Sequence, residues 1–215
     1  GVDGCRGGWV AVALEDGRFT AIRVITSIGE VADDDAVIVG VDMPMGETTP
    51  GARASEAAAR RFLGSRRSTI FTPPPLAAAV DDYDAAKAMA IAATGKSISK
   101  QAWHLLPKMR DAAPHWAHDP ERFREVHPEC AFAAMAGAPL ASSKRTADGV
   151  VERRALLAAN GIEVGADRVG GAQPDDVVDA AAVAWSAHRV ATGIAVSLPD
   201  PPERDAQGRP VAVWV

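Results

Sequence analysis

Residues 2–12, Val-Asp-Gly-Cys-Arg-Gly-Gly-Trp-Val-Ala-Val, and their continuation through Ala13 to Ile25 decide the fold. Val2-Asp3 reads as the end of a strand, and Gly4 to Gly8 as a glycine-rich turn. Trp9 to Glu15 then alternates as a second strand does. Asp16-Gly17 supplies the positive-φ positions of a tight β turn, so Arg18 to Ile25 is expected to return antiparallel to the second strand.

Working outward, a short helical stretch around Ser27 to Asp33 leads to Ala36–Asp42, AVIVGVD, a near-continuous apolar run typical of a parallel strand buried on both faces. Helices are expected at Ala52 to Leu63, Asp82 to Thr94 and around Ser99 to Met109, with Pro73-Pro74-Pro75 as a stop. Phe123 to His127 returns to strand, and Pro128 opens a short helix to Met135. Thr146 to Asn160 is a further helix closed by Gly161. The last helix follows Pro174, carries Asp175, Asp176 and Asp179 in its first turns, and runs to about Thr192. Residues 209–215 are either an edge strand or a tail. The expectation is one α/β domain over residues 1–215: a mixed five-stranded sheet flanked by helices, with a helical insertion at about 47–120 after the fourth strand.

Composition bounds the function. The chain has 215 residues, 47% hydrophobic and 24% charged, enough to bury a core without disulfides. Its two cysteines, Cys5 and Cys130, cannot make a disulfide framework, which points to a reducing, cytoplasmic setting. No apolar run approaches a membrane span and no signal peptide is visible, so no membrane partner is expected. A net charge of -5 argues against a broad basic face for nucleic acid. It does not exclude a local one, because carboxylates gathered around a divalent metal push the sum negative while a basic rim elsewhere meets phosphates.

The carboxylates have such an arrangement available. Asp3 and Asp42 both end strands, where ligands of open α/β sheets sit. Asp176 and Asp179, three apart, share a helix face. If that helix crosses the same sheet end, four carboxylates surround one pocket, and hard oxygen ligands suit Mg²⁺ or Mn²⁺. Two such ions would support phosphodiester cleavage. Each residue also has a bland explanation: Asp before Gly is a common turn pair, and acidic residues in a first helical turn suit the macrodipole.

The segments VDGCRGGWVAV (2–12), VDMPMG (41–46), LGSRRSTIFTPP (63–74), EVHPE (125–129), SKRTADGVVERR (143–154) and DDVVDAAAVAWSAHR (175–189) together resemble a family of predicted RNase H-like nucleases catalogued as a domain of unknown function. The resemblance spans nearly the whole chain. It implies an RNase H-like fold in which Asp3 bridges metal and Asp42 is its partner. Asp176 and Asp179 are then helix-borne ligands, as in junction-resolving members of the superfamily, and Glu129 is an additional ligand or water-positioning base. The chain departs from cellular RNase H in its large insertion and in lacking an obvious Glu after the third strand, unless Glu30 serves.

Arg66, Arg67, Ser68, Lys144 and Arg145 are candidate phosphate contacts, since arginine's paired donors match phosphate oxygens, although such runs are often solvated surface. Lys108 and Gln101 share that ambiguity. Trp9, Trp103 and Trp185 could stack on bases, with core packing favoured for Trp185. Cys5, His127 and Cys130 form a rival zinc constellation that lacks a fourth ligand. The glycines make neither a dinucleotide fingerprint nor a Walker loop. The leading expectation is a metal-dependent nuclease (DNA or RNA), hydrolysing phosphodiesters with two metals. A non-catalytic nucleic-acid or partner-binding protein is the alternative. Phosphoryl transfer of the actin or sugar-kinase type is disfavoured, because those proteins need two lobes. A homodimer is compatible with the sequence.

Overall fold

The computed structural model describes residues 1–46, 53–165 and 167–215. Five strands form one mixed sheet: β1 (Val2–Cys5), β2 (Gly8–Glu15), β3 (Arg18–Ile25), β4 (Val39–Val41) and β5 (Phe123–Glu125), in the order β3-β2-β1-β4-β5. β1, β2 and β3 meander antiparallel, whereas β4 runs parallel to both β1 and β5. The β2–β3 turn is the one the sequence predicts, with positive φ at both Asp16 (50°) and Gly17 (77°).

Helices cover both faces. α5 (Pro128–Ala136), α6 (Ala147–Ala159) and α7 (Pro174–Ala191) lie on one side, where Val10 and Val12 of β2 meet Phe132, Leu157 and the alanine-rich face of α7. α4 (Lys100–His118) covers the other side, and Trp9 and Ala11 meet its Leu106, Met109, Ala112 and Trp116. The alternation of β2 therefore sorts its residues between two cores, and Trp9 through Val12 are all buried. α1 (Gly29–Ala32), α2 (Ala54–Leu63) and α3 (Tyr83–Thr94) complete the helices, with 3-10 turns at Gly64–Thr69 and Leu76–Ala78.

Three features differ from the sequence expectation. α4 does not stop near Met109. It continues through Pro107 and Pro114 to His118, because its apolar stripe buries against the sheet and offsets the roughly 3 kcal/mol an interior proline costs. The segment expected as an insertion thus supplies the second helical layer of the domain. β6 (Ser197–Arg204) was not expected at all. It pairs antiparallel with β7 (Pro210–Trp214), so residues 209–215 are a strand. Pro199, Pro201 and Pro202 hide β6 in the sequence, and the ladder accommodates them by a register shift between Leu198 and Glu203 that leaves them unpaired. The expected start of α2 at Ala52 and of the insertion at Glu47 lies outside the described residues.

Close packing brings α7 to the sheet. It crosses β1, β2 and β4, and Gly40 makes the approach possible: a Cβ there would stand 3.0 Å from both the Val183 carbonyl oxygen and its Cγ1. The acidic N-terminal part of α7 consequently reaches the carboxyl ends of the parallel strands.

Candidate metal centre

Strand pairing dictates the centre. Val2 is the register partner of Val41, and the Asp42 amide donates to the Val2 carbonyl at 2.8 Å, so Asp42 lies beside Asp3. The Val126 amide donates to the Val41 carbonyl, bringing Glu125, Val126 and His127 to the same edge. A cleft of about 180 Å³ opens there, lined by Asp3, Asp42, Glu125, His127 and Lys108 among others.

Asp3 and Asp42 are buried and their carboxyl groups share a hydrogen bond. Burial raises the Asp3 pKa well above the ordinary carboxylate range, and Asp42, Asp179 and Asp176 raise it further. Burial, followed by Asp179, raises Asp42 to about 7. Two carboxyls this close cannot both ionise cheaply, so the pair holds a shared proton.

Asp179 also belongs to this field. It is 6% exposed, and its Oδ2 accepts from Lys144 Nζ at 2.6 Å. Burial raises its pKa, and Lys144 partly offsets the rise. Burial works to lower the Lys144 pKa, but Asp179, with Asp3 and Asp175, outweighs it and holds the ammonium above its ordinary value. Asp176, only half buried, accepts from the Gln173 amide at 2.8 Å as part of a capping box at the start of α7. Asp3 and Asp42 thus stand together, Asp179 is tied to Lys144, and Asp176 is partly spent on the helix cap. Among the described residues, no three Asp, Glu, His or Cys side chains are gathered closely enough to hold a metal ion in this arrangement.

Glu129 is placed differently from its expected role. Both its oxygens accept from Arg153 Nη2, at 3.0 and 2.8 Å, and Oε1 also accepts from Arg66 Nε at 2.9 Å. Burial alone would raise its pKa; Arg153 and then Arg66 bring it below the usual value. Glu129 and Arg66 therefore form a structural ion-pair network with the buried Arg153. Arg67, Ser68 and Arg145 remain exposed on the surface. Glu30 sits on α1, where it accepts from the Thr26 amide and hydroxyl, and it does not line the cleft.

Lys108 lies against Gly4 and donates to the Gly8 carbonyl, its ammonium 4.5 Å above the Trp9 ring. Trp9 donates to Asp111 and packs in the core, and Trp185 donates to Asn160; stacking on bases is not their role here. Cys5 and Cys130 are free, buried thiols in separate core clusters. Burial raises both thiol pKa values, assisted by Asp176 at Cys5 and by Asp42 at Cys130.

The sequence reading missed an inner clasp. Arg53 donates to Glu125 at 2.7 and 2.8 Å, to Glu56 through Nε at 2.8 Å, and to the Met45 carbonyl at 2.6 Å. Glu125 accepts from the Met45 amide at 2.7 Å. The loop that follows Asp42 is thereby fixed from both sides. The available signal was the Glu at the end of the EVHPE strand, at a position too buried for an unpaired charge. His127 also matters more than a failed zinc ligand. Burial lowers its pKa to about 4, the Thr69 backbone accepts a hydrogen bond from the ring, and Nδ1 is buried without a partner. A neutral imidazole lone pair therefore remains unused in the wall of the cleft.

Residues 1–204 match the family model DUF429, described as a protein of unknown function, and the chain belongs to that family. Comparison with curated proteins and with solved structures gave no match.

Proposed function

We propose that this DUF429 protein is a divalent-cation-dependent nuclease of RNase H-like fold, hydrolysing phosphodiester bonds in DNA or RNA. The observation that carries the reading is the Asp3–Asp42 pair: two buried carboxyls on adjacent parallel strands, Asp3 within β1 and Asp42 just after β4, joined by a hydrogen bond and kept from ionising together by burial and by each other. Such perturbed pairs in a cleft mark functional sites, because a purely structural pair would gain stability from replacement by neutral residues. The strand order β3-β2-β1-β4-β5, with only β2 antiparallel to its neighbours, supports the RNase H-like assignment.

The chemistry of these oxygen donors suits Mg²⁺ or Mn²⁺, and a third carboxylate joins Asp3 and Asp42 only if Asp179 leaves Lys144. Asp3 and Asp42 offer hard oxygens, and Asp179 is the next carboxylate in the same electrostatic field. When bound, the cation supplies a water of lowered pKa and charge stabilisation for the departing oxygen. The chain's own residues do the rest. Asp3 and Asp42 give up their shared proton on loading, and Lys144, 43% exposed on its side chain, exchanges Asp179 for a substrate phosphate. Arg67 and Arg145 are free to meet phosphates farther along the strand. The Arg53–Glu125 clasp keeps the loop after Asp42 from yielding as charge changes beside it.

The alternative, a non-catalytic binding protein, draws on one observation: Lys144 already neutralises Asp179 without a metal. A cleavage panel separates the two readings. Single-stranded DNA, duplex DNA, RNA, hybrid and branched junction are incubated with Mn²⁺, with Asp3→Asn as control. Mn²⁺-dependent cleavage lost in the variant supports the nuclease; cleavage surviving in Asp3→Asn, or none on any substrate, rejects it.

A further inference from the structure

A second recess, of about 600 Å³, adjoins the carboxylate cleft and shares with it the wall formed by Pro44, Arg53, Glu56, Phe71 and Leu105. From this juxtaposition we infer that the protein binds one unpaired nucleotide of its substrate with the base in this recess and the phosphate at Asp3 and Asp42. The inference rests on the nuclease reading and adds to it a substrate class: single-stranded or frayed ends rather than an intact duplex.

Four features of the recess carry it. Its volume lies within the range of small-ligand pockets, about 300–1,000 Å³, and admits an extruded base. Its walls are largely apolar, with Phe71, Pro73, Pro75, Ile98 and Leu105 lining it, and Phe71, 39% exposed, stands on the shared boundary. An aromatic ring such as that of Phe71 stacks on any base.

The polar groups divide cleanly into spent and free. Arg53 and Glu56 satisfy each other, Thr94 Oγ1 donates to the Ala90 carbonyl, and Ser99 caps α4 by accepting from the Ala102 amide. Gln101 is exposed at the recess, and its amide makes no side-chain hydrogen bond among the described residues. Its donor and acceptor match the polar edge of a base. Lys96 provides the unpaired charge of the rim and suits an anionic strand.

The recess is also preformed. Trp103 Nε1 donates to the Val80 carbonyl at 2.9 Å and Arg110 to the Ala79 carbonyl at 3.1 Å, tying the segment after the triple proline to α4.

The test measures binding of a trinucleotide, pdTpdTpdT, in Ca²⁺, a cation that can sit between the phosphate and the two carboxylates, by tryptophan fluorescence or calorimetry, with a blunt 12-base-pair duplex as competitor. Wild-type protein should bind the trinucleotide and prefer it to the duplex. Ala93→Trp, which fills the recess from an exposed position of α3, and Phe71→Ala should each weaken binding about tenfold or more. Both variants should keep the Mn²⁺-induced rise in melting temperature of the wild type. Unchanged trinucleotide binding in both variants, or a duplex that competes equally, overturns the inference. Failure of the nuclease reading looks different: the wild type then shows no Mn²⁺ response, whatever the trinucleotide does.

Discussion

Replacing Asp42 with asparagine should stabilise the metal-free protein at the same time as it destroys the metal response. In the folded chain Asp42 has its pKa raised from 3.8 to about 7, by burial first and Asp179 second. Between those values the unfolded chain has released a proton that the folded chain retains, so stability falls as pH rises through this window. Above it the full cost of the buried charge is present, about 4 kcal/mol as an upper bound. Asparagine has nearly the same shape and no charge, and its amide can donate to Asp3 where the shared proton now lies. After relaxation of the pocket, a gain of about 2–4 kcal/mol at pH 8 is expected, shrinking to under about 1 kcal/mol near pH 4, where Asp42 is protonated in the folded chain and only partly ionised in the unfolded one. For a chain of this size that gain corresponds to a melting temperature higher by about 5–15 °C. The assay is a pair of melting series, in EDTA and in millimolar Mn²⁺, at pH 4 and pH 8. Wild type should gain about 2.7 kcal/mol from a cation at a hundred times its Kd, and Asp42→Asn should gain little. A variant less stable than wild type at pH 8 in EDTA, or one stabilised equally by Mn²⁺, would refute the reasoning.

Two further perturbations test neighbouring parts of the site. Lys144→Met leaves Asp179 without its cation, and because Lys144 is partly exposed the loss should be modest, about 1–2 kcal/mol at pH 8 and shrinking as pH falls and Asp179, its pKa raised by burial, takes up a proton; denaturant unfolding across a pH series checks it. Glu129→Ala strands the guanidinium of Arg153, which is 1% exposed, and should cost about 3–5 kcal/mol, with Glu129→Ala/Arg153→Met recovering part of the loss. A fully stable Glu129→Ala protein would return Glu129 to the list of reacting carboxylates. Since the Glu129 pKa lies below its ordinary value, the stability this pair supplies is present at neutral pH and disappears as pH falls through that lowered value.

Much of this arrangement was legible in the sequence because local chemistry and long-range packing agree there. The alternating Trp9–Glu15 run and the Asp16-Gly17 turn permit little else, whereas the 36–42 segment forms only the three-residue strand Val39–Val41 and the first strand runs past Asp3 to Cys5; together they bring Asp3, inside β1, beside Asp42, just after β4. Glycine at position 40 has no visible meaning until α7 is seen pressed against it. What the sequence concealed lies where tertiary burial overrides local preference. Two prolines inside α4 read as breaks, yet a buried stripe carries the helix through them. Three prolines in β6 read as loop, yet the unpaired stretch of the hairpin absorbs them. Charge partners were the least readable. Arg53 and Glu56 are far from Glu125 in the chain and all three are ordinary in type, and only their common burial gives them a role. The pairing of Glu129 with Arg66 and Arg153, and of Lys144 with Asp179, has no sequence signature either.

The most direct test of the central claim, that the Asp3–Asp42 pair is a seat for a divalent cation, is anomalous diffraction from a crystal of the protein grown with Mn²⁺. The account predicts a manganese peak in contact with both carboxylates, their mutual hydrogen bond gone and Lys144 moved off Asp179. A crystal in Mn²⁺ at neutral pH with no peak there, and with Asp3 and Asp42 still hydrogen-bonded to each other, would contradict it.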